Sequence, residues 1–218
     1  LAPFTDYIVR AYGINVEGTF YSEPDTLQTL PFVGQGTEED PFQVATVQEL
    51  YFLSQASHLW DSTFLQTADI VIPDEVYEMG GLLHDGGKHF SPIGNSTTQF
   101  SGRYNGNEFV IENLKINRSS SDFVGLFGYT DGAIIENVGL IGASVKAQNF
   151  VGGLVGYLDK TDGAAGDTLQ TSYVKQSVVE GNNNIGGLAG KINESAVVRN
   201  AYSHATVKGN ESVGGLVG

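Results

Sequence analysis

The sequence of 218 residues contains no cysteine, only 6 prolines and only 11 basic residues. Without cysteine there are no disulfide bridges, no thiolate catalysis and no zinc site built on thiolates. The 25 acidic residues leave a formal net charge of −14, which makes nucleic acid an unfavourable partner. No apolar run reaches the roughly 18 residues that a membrane-spanning helix requires, so we expect no membrane insertion in this segment.

Catalytic motifs are also missing from the sequence. The four histidines form no His-Glu-x-x-His pattern, so there is no zinc peptidase signature. The serine-rich run at 117–121 has no nucleophile-elbow context. We therefore predict that the chain is not an enzyme and has no catalytic residue and no cofactor. One alternative stays open, a calcium site on a polar stretch that carries Asp159, Asp162 and Asp167.

Glycine, in contrast, is abundant at 29 residues, and many of these glycines recur in a fixed motif. Each copy is an apolar residue, one or two glycines, leucine, an apolar residue and glycine, and the copies begin at Val124, Val151, Ile185 and Val213. The closing glycines are 28, 34 and 28 residues apart. The polar stretch 159–167 lies in the longer interval, and we interpret it as an inserted loop. A period of this length is typical of repeat architectures.

A second pattern runs between the glycine motifs. Val145, Val179 and Val207 each stand six residues before the next motif, so they are expected to form one column. Asparagines follow short apolar strands in several copies, and a serine takes this place in one copy. We predict that these residues lie above one another and bond through their side chains: Asn113, Asn137 and Asn200, with Ser172 at the third turn.

The period and the residue types together predict the fold. Each copy offers about three short strands rich in β-branched residues and separated by Gly, Asn or Ser. One copy cannot bury its apolar face alone, whereas stacked copies form a continuous core. Neighbouring copies would lie about 4.8 Å apart, and the glycines would occupy corners that exclude a Cβ atom. We predict an all-β fold, a right-handed parallel β-helix (solenoid).

The motif resembles the GLUG repeat of bacterial surface adhesins and of the non-catalytic regions of IgA-specific metallopeptidases. Gly153-Leu-Val-Gly156 and Gly187-Leu-Ala-Gly190 carry the Gly-Leu-x-Gly signature, and the resemblance covers about 108–218. It implies a parallel β-helix that extends or displays another part of the protein, and it brings no catalytic residues. The repeat positions are Gly125, Leu126, Gly128, Gly152, Gly153, Leu154, Gly156, Gly186, Gly187, Leu188, Gly190, Gly214, Gly215, Leu216 and Gly218, together with the three asparagines.

Two further segments precede the repeats. Residues 1–31, with a turn at Asn15 to Gly18, resemble the last strands of a fibronectin type III module, in which Tyr7 would be the corner tyrosine. Because two strands alone are marginal in water, we expect this hairpin to be part of a longer protein. Residues 32–60 are predicted to form a linker and a capping helix of about ten residues. The sequence Thr46-Val-Gln-Glu49 predicts a capping box at its start.

The β-helix is predicted to span 61–218 and to continue beyond Gly218. The leading hypothesis for function is a non-catalytic structural or adhesive region of a secreted or cell-surface bacterial protein. Its partner would be a protein or glycan on a host or neighbouring cell. Two alternatives remain: a non-catalytic segment of an exported IgA-type metallopeptidase, and a carbohydrate-binding or carbohydrate-active β-helix. The scattered Lys and Arg residues disfavour a lyase that acts on acidic sugars.

Overall fold

The computed structural model describes residues 6–29, 31–159 and 166–218. Strands account for 46% and helices for 9%, so the chain is all-β, as the sequence predicts. It divides into two compact units, Leu1–Val33 and Gly34–Gly218. Within the described residues, no helix combines the length and the apolar character that crossing a membrane would require.

The described residues of the first unit form four short strands, all paired antiparallel: β1 (Asp6–Val9), β2 (Tyr12–Asn15), β3 (Gly18–Tyr21) and β4 (Asp25–Gln28). Strand β1 pairs with β4, and β2 pairs with β3. The turn from Asn15 to Gly18 is where the sequence places it, and the Asn15 side chain accepts a hydrogen bond from the Glu17 amide at 2.8 Å. The apolar side chains of the hairpin are largely exposed, Ile14 by 73% and Phe20 by 53%. The fibronectin type III resemblance stays a prediction.

The second unit begins with β5 (Phe42–Val44) and the helix α1 (Val47–Gln55). The predicted capping box is confirmed, because the Thr46 hydroxyl accepts from the Glu49 amide at 3.2 Å and the Glu49 carboxylate accepts from the Thr46 amide at 2.9 Å. Leu50 and Leu53 are buried on the inner face of the helix. Short 3-10 helices follow at Ser57–Leu59, Asp74–Tyr77 and Asp85–Gly87.

The remaining strands follow along the chain, with a long irregular stretch between the second and the third of them. They are β6 (Thr63–Gln66), β7 (Ile70–Val71), β8 (Arg103–Asn105), β9 (Val110–Glu112), β10 (Lys115–Asn117), β11 (Phe127–Asp131), β12 (Ile134–Glu136), β13 (Gly139–Ile141), β14 (Ser144–Lys146), β15 (Asn149–Gly152), β16 (Val155–Asp159), β17 (Thr168–Gln170), β18 (Tyr173–Glu180), β19 (Asn183–Gly186), β20 (Ala189–Ile192), β21 (Val197–Arg199), β22 (Tyr202–Lys208) and β23 (Glu211–Gly214).

These strands form four parallel sheets. The sheet orders are β21-β17-β12-β8-β6-β5, then β10-β14-β18-β13-β9-β7 with β22 on β18, then β15-β19-β23, and β11-β16-β20. The chain visits the sheets in the same order in each repeat, so a strand pairs with the strand one repeat away. Among the described residues, every pairing between strands β5 to β23 is parallel.

The register places equivalent residues of successive copies opposite one another. Val145 pairs with Val179, and Val179 pairs with Val207, so the predicted valine column is confirmed. In the glycine motifs, Phe127 pairs with Val155 and Val155 with Ala189. The leucines before them are aligned too, and Leu126, Leu154 and Leu188 are fully buried. The aligned apolar residues therefore form the core that a single copy could not enclose.

The predicted asparagine column is only partly correct. Asn137 and Asn200 do share a column, because β12, β17 and β21 pair in register. The residue between them is Thr171, not Ser172, and all three have positive φ, at 55°, 49° and 51° along the chain. Asn113 belongs to a different corner, since Glu112 pairs with Ile141 and Asn113 is therefore level with Gly142. The prediction that Asn113 lies above Asn137 is wrong.

Candidate ligand-binding groove

Two of the three carboxylates proposed for calcium, Asp159 and Asp167, make hydrogen bonds at the base of the insertion. Asp167 is fully buried, and its oxygens accept hydrogen bonds from the Thr130 hydroxyl at 2.5 Å, the Ala133 amide at 2.6 Å and the Asp159 amide at 2.8 Å. Burial raises the pKa of Asp167 to about 6, although these bonds act to lower it. Asp162 lies outside the described residues. Within those described, no three His, Asp or Glu side chains are grouped to hold a metal ion.

Four aromatic rings form a ladder on the surface of the second unit. The aromatic ladder consists of Phe123, Phe150, Tyr129 and Tyr157, all half-buried. The rings of Phe123 and Phe150 are stacked, 4.9 Å apart and 7° from parallel. Tyr129 pairs in register with Tyr157, with ring centroids 5.0 Å apart. Rings at consecutive repeats stack because the repeats are spaced like strands of a sheet.

Polar groups anchor the tyrosine side of the aromatic ladder. The Tyr129 hydroxyl donates a hydrogen bond to the Asp159 carboxylate, which also accepts from the Asn193 amide group at 2.6 Å. Burial and this bond to Asp159 raise the pKa of the Tyr129 hydroxyl. The Lys191 ammonium lies 5.3 Å from the Tyr157 ring and 5.7 Å from the Phe150 ring, within reach of cation–π attraction.

The backbone at the two phenylalanines is strained. Phe123 and Phe150 have φ of 58° and 53°, a left-handed conformation that is unusual for bulky residues and costs about 1–3 kcal/mol. At the same corner the next two copies carry Asn184 and Ser212, small polar residues with φ of 58° and 50°. The first two copies thus place large rings where the geometry favours small residues.

Phe123 also lines a groove on the second unit. The groove has a volume of about 400 Å3 and lies between the C-terminal end of α1 and the first glycine motif. Trp60 and Pro92 line it with Phe123, and the other lining side chains are mostly polar. An adjoining cavity of about 200 Å3 shares Gln55, Ser91 and Arg118 with it.

Hydrogen bonds fix the walls of the groove. The Trp60 indole donates to the Leu53 carbonyl at 2.8 Å, and its ring is buried. Arg118 donates to the Phe90 carbonyl at 3.0 Å and forms an ion pair with Asp85 at 2.6 Å. Because these contacts are made within the chain, the groove is formed before any ligand arrives.

A second pair of stacked rings lies on another sheet. Tyr173 pairs with Tyr202, and their rings are 5.3 Å apart and 10° from parallel. The Lys175 ammonium is 4.5 Å from the Tyr173 ring. The Tyr173 hydroxyl fills the space over Gly139, where an added Cβ would lie 2.6 Å from it. This pair lines a smaller cavity of about 280 Å3.

Sequence reasoning identified the repeat but missed the groove. Phe123 and Phe150 each directly precede a glycine motif, and this shared position could have indicated a stacked pair. The polar lining could not have been found in this way. Its residues come from helix α1, the segment around Ser91 and the stretch that ends at Val124, and only the fold brings these together.

The chain is similar in sequence to segments of longer proteins. It is 34% identical over 184 residues to halomucin of Haloquadratum walsbyi, an alignment that covers 83% of the chain and 2% of halomucin. It is 29% identical over 131 residues to a protein of Evansella cellulosilytica described as a Gly-rich membrane protein, covering 56% of the chain and 14% of that protein. The chain thus spans a small part of the length of these relatives. No family model and no solved structure matches it.

Proposed function

We propose that residues 61–218 form a right-handed parallel β-helix of the GLUG type and that the chain is a non-catalytic structural and adhesive region of a secreted or cell-surface protein. The observation that carries this proposal is the in-register parallel pairing of the repeats. Each copy satisfies the backbone hydrogen bonds of its neighbour, so the structure lengthens by one strand spacing for every copy added.

The comparisons support the location. One relative is described as a membrane protein, and the other carries a name formed from mucin. Both are much longer than the aligned segment, which is the size relation expected for a repeated part of a large protein. The acidic charge of the chain fits a solvated surface region, because like charges keep neighbouring molecules apart.

The proposal is tested by adding copies of the repeat. Three tandem copies of residues 185–212 are inserted before Val213 in the full chain. A stacked β-helix is expected to lengthen by about 14 Å, since each copy adds about 4.8 Å. Small-angle X-ray scattering measures the change in maximum dimension, and circular dichroism checks that the strand content rises in proportion.

A matched control insertion carries Gly186→Asp and Gly187→Asp in each added copy. A Cβ at either position would collide with backbone atoms, at 2.0 Å from the Ala189 carbonyl oxygen and 2.4 Å from the Gly215 carbonyl oxygen. The control should remain unstacked and add no regular strand content. If both insertions give the same length and the same spectrum, the β-helix and the role built on it are refuted.

A further inference from the structure

We propose that the groove beside Phe123 binds a neutral, hydroxyl-rich saccharide. This inference rests on the proposed function, since it names the class of ligand that the adhesive region would recognise. A pyranose ring presents C–H groups on its faces and hydroxyl groups around its rim. It therefore needs an aromatic wall together with donors and acceptors at the margin of the site.

The aromatic wall is Phe123, which lines the groove while its ring is stacked on Phe150 at 4.9 Å. The ring face carries the negative part of the aromatic quadrupole, which attracts C–H groups. Strain at this half-buried corner points in the same direction. A phenylalanine with φ of 58° costs stability, and the copy that begins at Ile185 carries Asn184 at this corner, a residue type that tolerates the left-handed conformation better. Contact with a ligand would explain why a phenylalanine occupies this strained position.

The margin of the groove is rich in neutral hydrogen-bonding groups. They are the side chains of Ser54, Gln55, Ser57, Ser91, Asn95 and Ser121. Hydroxyl and amide groups both donate and accept, as sugar hydroxyls do. A site of about 400 Å3 with one aromatic wall and several polar groups falls within the size range of small-molecule sites, roughly 300–1,000 Å3.

The charges in the groove favour an uncharged ligand over an anionic one. Its cation, Arg118, is paired with Asp85 at 2.6 Å. Its carboxylate, Asp122, accepts two hydrogen bonds from Asn149, at 2.8 Å and 3.1 Å. The Arg118 charge is offset by Asp85, the Asp122 carboxylate keeps its negative charge, and the net charge of −14 also repels anions. Acidic saccharides should therefore bind more weakly than neutral ones.

The test uses the full chain and defined saccharides. Immobilised gluco-, galacto-, manno- and xylo-configured tetrasaccharides are the neutral probes, and sialylated and sulfated oligosaccharides are the anionic comparators. We expect at least one neutral probe to bind and the anionic comparators to bind more weakly. Saturation-transfer NMR should place the bound sugar C–H groups against aromatic protons. The inference is wrong if no neutral probe binds at millimolar concentration, or if the anionic probes bind more tightly.

Two variants locate the site. Phe123→Ala removes the wall and should weaken binding about tenfold. Gln55→Trp fills the groove from the exposed end of α1 and should abolish binding without removing a core contact. Gln48→Trp, on the same helix but outside the groove, is the matched control and should bind normally. Binding that survives Gln55→Trp would place the saccharide elsewhere and overturn the inference.

The repeat-insertion experiment separates this inference from the proposed function. If the inserted copies lengthen the chain but no neutral saccharide binds, the groove has been misinterpreted and the structural role stands. If the insertion fails, the proposed function fails whatever the saccharide binding shows.

Discussion

Asp167 shows how one buried carboxylate can make the stability of the fold depend on pH. Its folded-state pKa is about 6 and its ordinary value is 3.8, because burial disfavours the charged form. The folded chain therefore holds the proton more tightly than the unfolded chain does. The resulting stabilisation is fully present below about pH 4 and is lost as the pH rises through about 6.

We predict that this contribution disappears in Asp167→Asn, which cannot ionise. The wild-type free energy of unfolding should fall relative to that of the variant, by about 3 kcal/mol from about pH 4 to about pH 8. Urea denaturation of both proteins across this range measures the difference. The variant also loses stability at every pH, because its amide group faces an N–H donor where the carboxylate oxygen accepted.

A second variant checks the cause. Thr130→Val removes the hydroxyl that donates to Asp167 at 2.5 Å, and this bond lowers the pKa of the carboxyl group. The fall in the free energy of unfolding that accompanies ionisation of Asp167 should then occur at a higher pH. Parallel stability curves for wild type and Asp167→Asn would show that Asp167 does not titrate in this range.

At the scale of the strand and its corner, the glycine motif is explained by what lies one repeat away. A Cβ added at Gly153 would lie 2.7 Å from the Gly187 carbonyl oxygen and 2.9 Å from a methyl group of Val174. The equivalent glycine of the last copy, Gly215, has nothing within 4 Å of such an atom. The same motif position is thus crowded where a further repeat packs against it and open where none does.

We predict that Gly153→Ala destabilises the chain by about 2–3 kcal/mol, because the backbone must shift to admit the methyl group. Gly215→Ala is the matched control and should change stability by less than about 0.5 kcal/mol. Thermal and urea unfolding of both variants measure the difference. Equal losses in the two variants would mean that glycine is needed for backbone conformation and not for close approach between repeats.

The columns that the sequence predicted correctly are those with distinctive residues. The valine column and the leucines of the glycine motif could be aligned because apolar residues recur there at a fixed distance from the glycines. The corners were harder, because each repeat turns several times and Asn suits every left-handed corner. Counting three residues back from Ile116, which pairs with Val145, would have placed Asn113 level with Gly142.

The buried carboxylate and the groove could not be predicted in this way. Asp167 looked like a solvated loop residue because its neighbours are polar, and only the packing of Thr130 and Ala133 around it shows that it is buried. The groove depends on the irregular chain between β7 and β8. Periodicity gives no information about that stretch, because it contains no repeat.

At the scale of the whole molecule, charge is the dominant property. The net charge of −14 is spread over 218 residues, and the described ion pairs use few of the acidic groups. Like charges repel more strongly in the compact state than in the expanded one, so this charge opposes folding. Salt screens the repulsion, because the Debye length falls from about 10 Å at 0.1 M to about 3 Å at 1 M.

We therefore predict that sodium chloride stabilises the protein, with a melting temperature several degrees higher at about 1 M than at about 0.1 M. Exposed ion pairs act in the opposite direction, but each contributes only about 0–1 kcal/mol. Differential scanning calorimetry measures the shift. Sodium chloride is used rather than sulfate, because sulfate also strengthens the burial of apolar surface. With sulfate, a higher melting temperature could not be attributed to charge screening alone.

The control reduces the charge and leaves the fold alone. Glu39, Glu75 and Glu194 are exposed, and changing each to Lys alters the net charge by two, from −14 to −8 in the triple variant. The repulsion rises with the square of the net charge, so the variant should gain less from salt than the wild type and should be the more stable of the two at low salt. An equal response to sodium chloride in both proteins would mean that the salt acts through apolar burial, and the acidic surface would then serve solubility alone.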